Sequence, residues 1–479
     1  MGVVVGTQAQ VIYVAESTRG VSPGSGYKTL RCTGRNINMK RDTLESAEVS
    51  TSRQRADVRH GFGRIEGALN FELSWSTYDD WLAYLMARPN ANTSPADSPV
   101  AAAVGAAIVV ASDYNGWMRP SRVIDTTTAF ILTISAVSAA TTTAPGTITF
   151  RLSGNGGNAN WIEHGYRPGD WVVSAGWTDL DNNTLRTADG GNASGSPTGP
   201  ERWRVLRIDN VAGVTSDLVC VIPPGFTGQA TQATGTATAE VDYAGRKVSV
   251  GTTLTTLTIE RGFTEPVNPL YQFYPGCAIN SMSLSVSPDA IVNGTWNIIG
   301  GLAGDGLSVV DIDQSTSIDT TPDAPSTNSP FAAFDGSVST VKSDGTHLTG
   351  IVTQIDFTVD NQRTTQAVVG RRFSQDVYEG VCKITGTVTL LLDSRDHLTA
   401  FQDEAALSTM VIRLNELGTN EFVSFCFNRV KYLATDIDPP ANGPVLIACP
   451  FEALEQAFTG NVAGTVITRE AFRIQRSGV

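Results

Sequence analysis

A chain of 479 residues exceeds what one hydrophobic core usually serves, and its 41% apolar and 17% charged residues, with 46 Gly and 22 Pro, suit short strands and turns better than long helices. The net charge of −13 argues against a nucleic-acid grip, which rests on clustered Lys and Arg releasing counterions. Six cysteines, Cys32, Cys220, Cys277, Cys382, Cys426 and Cys449, form no C-x-x-C or Cys/His cluster, which excludes a recognisable zinc site or dense disulfide framework and predicts mostly buried free thiols.

In chain order, the opening Met1-Gly-Val-Val-Val-Gly lacks the basic and long apolar regions of a signal peptide, and no stretch of about 18 apolar residues follows. A chain folding in a reducing cytoplasm is expected. Ile37–Asp42 reads as a strand, and a long arm from Thr43 to His60 separates it from a second strand, Gly61–Leu73. In that second strand Ile65, Leu69, Phe71, Leu73 and Trp75 take one face, and Arg64, Glu66, Asn70, Glu72 and Ser74 the other. A helix follows, with Thr77 as the expected cap, Asp80 three residues on, and Trp81, Leu82 and Leu85 as its apolar stripe.

Near Pro89 the pattern breaks and resumes near Val248. The intervening 93–247 is rich in Ala, Thr and Gly but carries strand patterns at Trp171–Ser174, Trp203–Ile208 and Leu218–Ile222, with a Pro168-Gly169-Asp170 turn before the first. A small inserted β domain is expected, since insertions succeed at exposed loop tips, and its excision is expected to leave the rest able to assemble. Strands Ile279–Val286 and Gly294–Ile299 complete this first unit. Residues 303–330 carry five Asp, three Pro and no basic residue, a linker composition.

The second unit repeats the first. Gly380-Val-Cys-Lys-Ile384-Thr-Gly386 through Leu392 matches Gly61-Phe-Gly-Arg-Ile65-Glu-Gly67 through Leu73 at Gly, basic, Ile, Gly and Leu. Upstream, Ile355–Asp360 aligns with Ile37–Asp42 if one residue is inserted. Ile384, Val388, Leu390 and Leu392 are expected inward and Lys383, Thr385, Thr387 and Thr389 outward. A helix from Asp396, with Leu398, Phe401 and Ala405 inward, and strands Val430–Ala434 and Pro444–Pro450 follow. The division read from this is 1–92 with 248–302, an insert 93–247, a linker 303–330, a second unit 331–455 and a tail 456–479.

The run Arg55-Ala-Asp-Val-Arg59-His60-Gly61, the strand and helix Gly67 to Met86, Ile259-Glu-Arg-Gly262-Phe263 and Ile279 to Pro288 resemble the major tail tube proteins of long-tailed bacteriophages, through roughly 2–90 and 250–455. The resemblance implies a mainly β chain: two tandem β-sandwich, barrel-forming tube domains, each with one flanking helix, plus the inserted small β domain. It further implies a structural subunit of the virion tail, assembled in the host cytoplasm. Trimeric rings of pseudo-sixfold symmetry would stack head to tail around a channel that conducts DNA. The partners implied are other copies of the chain, a tape-measure protein, a tail terminator and distal tail or baseplate proteins. Genomic DNA would pass without specific binding, and neither a cofactor nor a membrane segment is implied.

A DNA conduit should present polar, neutral or acidic side chains, because each basic contact adds an ionic hold. The candidates are Asn36, Asn38, Glu66, Asn70 and Glu72 in the first unit and Gln354, Asp356, Thr385, Thr387 and Thr389 in the second. Arms between subunits or rings are expected to use Glu45, Glu48, Arg53, Arg55, Asp57 and Arg59, with Arg363, Arg371, Arg372, Asp376 and Glu379 in the equivalent stretch. Catalysis finds no support: His60, His164, His347 and His397 are scattered, Gly300–Gly306 lacks the Lys-Ser/Thr of a phosphate loop, and Asp113–Gly116 lacks the other ligands of a calcium loop. The alternatives are a capsid or cement protein and a carbohydrate-binding decoration protein, the latter because Trp117, Trp161, Trp171, Trp177 and Trp203 fall in the insert.

Overall fold

The computed structural model describes residues 9–45, 58–87, 111–114, 117–120, 123–124, 130–140, 145–154, 160–184, 201–211, 215–223, 225–226, 228–232, 239–263, 269–301, 316–342, 347–348, 350–374, 376–393, 395–404, 407–416, 421–439, 442–459 and 466–478. The chain is mainly β, as the alternating patterns require. The first repeat contributes β1 (Ala9–Ala15), β2 (Gly34–Glu45), β3 (Val58–Glu72) and helix α1 (Asp79–Leu85), then β4 (Leu257–Phe263), β5 (Leu270–Val286) and β6 (Asn293–Gly300). The second contributes β7 (Gly336–Lys342), β8 (Val352–Asp360), β9 (Lys383–Leu391) and α2 (Asp396–Gln402), then β10 (Leu407–Asn415), β11 (Phe422–Tyr432), β12 (Asp436–Asp438) and β13 (Leu446–Ala453). A last strand, β14 (Phe472–Arg476), follows.

Strand order shows the duplication at once. The first repeat pairs β1-β4-β5-β6-β3-β2 and the second β7-β10-β11-β13-β9-β8, every neighbour antiparallel. Even an irregularity recurs: β5 slips by one residue against β6 between Ile279 and Ser281, and the chain slips by one against β13 where β11 passes into β12. The repeats are joined edge to edge, with β8 pairing antiparallel to the C-terminal half of β5 from Ser281↔Asp360 to Val286↔Ile355. One sheet therefore curves through both repeats as a half-barrel.

The buried faces follow the alternation. Ile65, Leu69, Phe71 and Leu73 are inward, as are Ile384, Val388 and Leu390, and Phe71 stacks on Trp296 at 4.7 Å between ring centroids, with Trp81 of α1 at 5.6 Å. At strand ends the alternation fails: Ser74 is buried, Trp75 only half-buried and Leu392 exposed, because the chain turns there and the pleat no longer sets the side. Thr77 does not cap α1; Tyr78 holds that position without a side-chain bond, while Ser76 Oγ bonds Asp79 Oδ2 at 3.1 Å. Helix α2 buries His397 and Ala400, with Leu398 and Phe401 only half-buried and Ala405 outside the described residues. The arm is shorter than Thr43–His60, since β2 runs to Glu45 and β3 begins at Val58.

The repeat also aligns differently from the sequence match at one strand. Ile37 opposes Gly67 while Phe357, not Ile355, opposes Gly386. A Cβ on Gly67 would lie 2.6 Å from Asn36 O, and one on Gly386 would lie 2.5 Å from Asp356 O, which makes Asn36 the counterpart of Asp356. A two-residue slip leaves every side chain on its proper face, so hydrophobic alternation cannot detect it.

Among the described residues the insert forms a separate seven-stranded sheet around Trp161, Trp177 and Trp203, and it is cemented to the outer sheet of the second repeat. Leu206, Val219 and Val221 pack on Val341 of β7, and Val173 and Ala244 on Phe422 of β11. Between them lies a water-excluded ion cluster. Arg473 of β14 donates to Asp170 Oδ1 (2.6 Å) and Asn428 Oδ1 (3.0 Å), with Glu470 Oε2 at 3.7 Å, and Lys247 Nζ lies 3.8 Å from Asp170. Strand β14 pairs on one side with β11 and on the other with Arg246–Ser249, where the chain returns from the insert, and Arg476 reaches Asp79 of α1 at 2.8 Å. Residues 316–330 are largely exposed yet tied down: Asp319 accepts the backbone N–H of Gly26 and Tyr27 at 3.1 Å each, and Arg31 donates to the Asn328 carbonyl at 2.7 Å.

Candidate functional site

Four adjoining strands from each repeat build the half-barrel: β2, β3, β6 and the end of β5, then β8, β9, β13 and β12. Because directly opposed residues share a face, the register carries one polar face across the whole sheet. Asn36 and Asn38 oppose Ala68 and Glu66; Asn70 and Glu72 oppose Thr295 and Asn293. Across the junction Ser283 and Ser285 oppose Thr358 and Asp356, and these in turn oppose Thr385 and Thr387, with Gln354 opposite Thr389. The structure thus brings all ten channel candidates onto one face, the face away from the aromatic core. Its middle is a trough of about 520 Å³ lined by Ser283, Ser285, Thr295, Asp356, Thr358, Thr385 and Thr387.

Lys40, Arg64 and Lys383 on this face each lie beside carboxylates. Lys40 Nζ bonds Glu66 Oε2 at 2.9 Å, Arg64 Nε bonds the other Glu66 oxygen, and Arg64 Nη1 bonds Asp42 at 2.9 Å. The Lys40 bond, opposed by partial burial and reinforced by Arg64, holds the Glu66 carboxyl below its usual range, while Glu66 and Asp42 raise Arg64. Lys383 lies 4.0 Å from Glu452, and Lys431 opposes the same Glu452 across β11 and β13. Asp356, Asp360, Glu72 and Asp436 add further carboxylates to the face. Arg64 and Lys383 were placed on this outward face by the alternation but not named as channel candidates, and Lys40, Asp42 and Glu452 were missed; extending the period of two along the same strands would have found them.

The expected arm residues divide. Glu48, Arg53, Arg55 and Asp57 lie outside the described residues, and Glu45 and Arg59 sit on the exposed end of the β2–β3 hairpin. In the second repeat the corresponding stretch, though largely exposed, is anchored on the first repeat. Arg363 is buried, donating to the Ile279 carbonyl and to Glu379 Oε1 at 3.0 Å. Asp376 meets Arg19 at 2.6 Å, and the Arg372 carbonyl accepts Gly63 N–H at 2.8 Å. Phe373 lies beneath Gly63, with the Arg41 guanidinium 5.5 Å from its ring centroid. Arg371 is half-buried and Arg372 exposed.

Among the described residues no group of three or more His, Cys, Asp and Glu could hold a metal ion, and no helix is long and apolar enough to cross a membrane. All six cysteines are free thiols; Cys220, Cys277, Cys426 and Cys449 are buried, and burial pushes Cys426 up to about 12. Trp117, Trp161, Trp177 and Trp203 are buried, and the Arg413 guanidinium covers the Trp171 ring at 4.3 Å, so these rings are core rather than a sugar platform. A family model described as phage tail tube protein matches residues 6–453 of the chain. No curated protein matches it.

Proposed function

From the premise that the chain belongs to the phage tail tube protein family and is a structural component of the phage tail, we propose that it closes with copies of itself into rings that stack into a DNA-conducting tube. The observation that carries this is the half-barrel. A curved sheet with a polar, charge-paired concave face and unclosed ends is an incomplete object, and open sheet edges are a liability that closure removes. Two repeats related by the same strand order make each chain two of the units of such a ring, so three chains give a ring of pseudo-sixfold symmetry.

The lining suits passage rather than binding. Lys40, Arg64 and Lys383 each have a carboxylate partner on the same surface and Lys431 lies opposite Glu452, and the remaining Ser, Thr, Asn and Asp side chains add no cation, so little counterion release rewards a stop. The tape-measure protein, tail terminator and distal tail or baseplate proteins are the partners this role requires, and the host cytoplasm is where assembly would occur. Negative-stain electron microscopy of the purified chain, taken from dilute to dense with mass measured by light scattering, tests the reading. Rings or tubes with a central hole, in multiples of three chains, support it; a species that stays monomeric throughout overturns self-closure.

A further inference from the structure

The molecule contains a worked copy of its own missing interface. Inside the chain, β8 of the second repeat pairs with the end of β5 of the first, Ser283↔Thr358, Leu284↔Phe357 and Ser285↔Asp356. The counterparts of these six residues follow from the shared registers. On one side, Gly67 and Gly386 fix Asn36, Ile37 and Asn38 as equivalents of Asp356, Phe357 and Thr358. On the other, Ile298 opposes Gly67 as Phe451 opposes Gly386, which fixes Asp436, Ile437 and Asp438 of β12 as equivalents of Ser283, Leu284 and Ser285.

Resting on the ring reading above, we propose that β12 of one protomer pairs antiparallel with β2 of the next in the register Asp436↔Asn38, Ile437↔Ile37 and Asp438↔Asn36. Burial supports the pairing. Leu284 at the internal junction is 2% exposed, whereas its counterpart Ile437 is 41% exposed beside an open edge. Charge supports it as well: Lys40 falls one same-face position from the partner of Asp436, a diagonal within reach of a lysine side chain. On β2 the Arg35 and Ile37 carbonyls accept from the side chains of Arg261 (3.3 Å) and Tyr274 (3.2 Å), so the edge that β8 satisfies with a strand is held in this protomer by side-chain donors.

The test is a paired-cysteine cross-link in the full chain. Opposed Cα atoms in an antiparallel pair lie about 4.5–5.5 Å apart, inside disulfide range, while diagonal positions lie about 7–8 Å apart. Asn38→Cys with Asp436→Cys is therefore expected to oxidise into reducible oligomers at least roughly tenfold faster than Asn36→Cys or Lys40→Cys with Asp436→Cys, or than any single variant. As a second variant, Ile437→Asp is expected to abolish rings while the monomer keeps its unfolding transition, since Ile437 is already exposed. Wild-type rings in the microscope with no cross-link, or with a faster Lys40→Cys pair, overturn this register and leave the ring reading standing. Rings formed by Ile437→Asp overturn it too, whereas no rings in the wild type overturn both.

Discussion

Arg473→Met should unfasten the insert from the second repeat. The guanidinium is 0% exposed, and it satisfies Asp170, whose side chain is 1% exposed, at 2.6 Å, together with Asn428 Oδ1 at 3.0 Å and the Pro168 carbonyl. Methionine keeps much of the volume but leaves the buried Asp170 carboxylate with only Lys247, at 3.8 Å, and the Arg167 backbone N–H, at 2.8 Å, to offset its charge. Breaking a buried pair by removing one partner costs about 3–5 kcal/mol, most of it the unpaired charge left behind. Lys247 offsets part of that, so about 3 kcal/mol is expected. Adding Asp170→Asn removes the stranded charge and should recover a third or more of the loss, the signature of a pair whose members matter chiefly to each other. Urea unfolding followed by tryptophan fluorescence, run as a double-mutant cycle, reads both quantities. A single variant within about 1 kcal/mol of wild type, or a double variant no more stable than the single one, would refute the reasoning.

Burial pushes the His164 pKa down to about 4 from 6.5, so between those values the unfolded chain binds a proton that the fold does not. The stability it confers is whole above pH 6.5 and lost as pH falls through 4, by up to about 3 kcal/mol; His164→Gln should flatten that slope in unfolding curves at pH 4, 5 and 7, and an unchanged slope would count against it. Gly67→Ala and Gly386→Ala each drive a methyl against backbone 2.5–2.7 Å away; each should cost at least about 1–3 kcal/mol and lower ring yield, and a methyl tolerated at either site would show that the hairpins have room the structure denies. Glu66→Gln removes the carboxylate between Lys40 and Arg64. Tubes of that variant should co-sediment short duplex DNA more than wild type, with the excess vanishing between about 50 and 200 mM salt, and salt-insensitive retention would point away from a phosphate contact.

How much of this was legible depends on which signal each residue carried. The period of two placed Glu66, Asn70, Asp356, Thr385 and Thr387 on one face before any coordinates, because a half-buried strand must alternate. The duplication was visible in Gly67 and Gly386, whose Cβ positions are filled by the neighbouring strand, so glycine is required twice. The β2 register was illegible because Ile37 matches Ile355 and Phe357 equally well in polarity, and only the position of the paired strand separates them. Residues 456–479 were read only as a tail, and alternation in Phe472–Arg476, with Arg473 and Gln475 opposite Phe472 and Ile474, describes on its own a strand with one wet face. In the fold both faces are buried, and the insert supplies Asp170 to Arg473 and the Trp171 and Ala244 carbonyls to Gln475. A partner over a hundred residues away leaves no local trace.

The placement of the insert follows from what the ring would have to keep free. It enters after α1 and returns at Arg246–Ser249, on the side of the sandwich remote from the polar face, and its apolar contacts fall on β7 and β11 rather than on β2 or β12. Mass can therefore be added there without touching the lining or either open edge. The cost is dependence. Excising 93–247 removes Asp170 and Lys247 together, leaves Arg473 with Glu470 as its one carboxylate partner among the described residues beside Asn428, and uncovers Phe422 and Val341. Simple deletion is thus expected to weaken the second repeat before it says anything about assembly. A deletion that also carries Arg473→Met, Phe422→Thr and Val341→Thr separates the two effects: if the repaired chain forms rings and the unrepaired one aggregates, the insert serves the second repeat and not the ring.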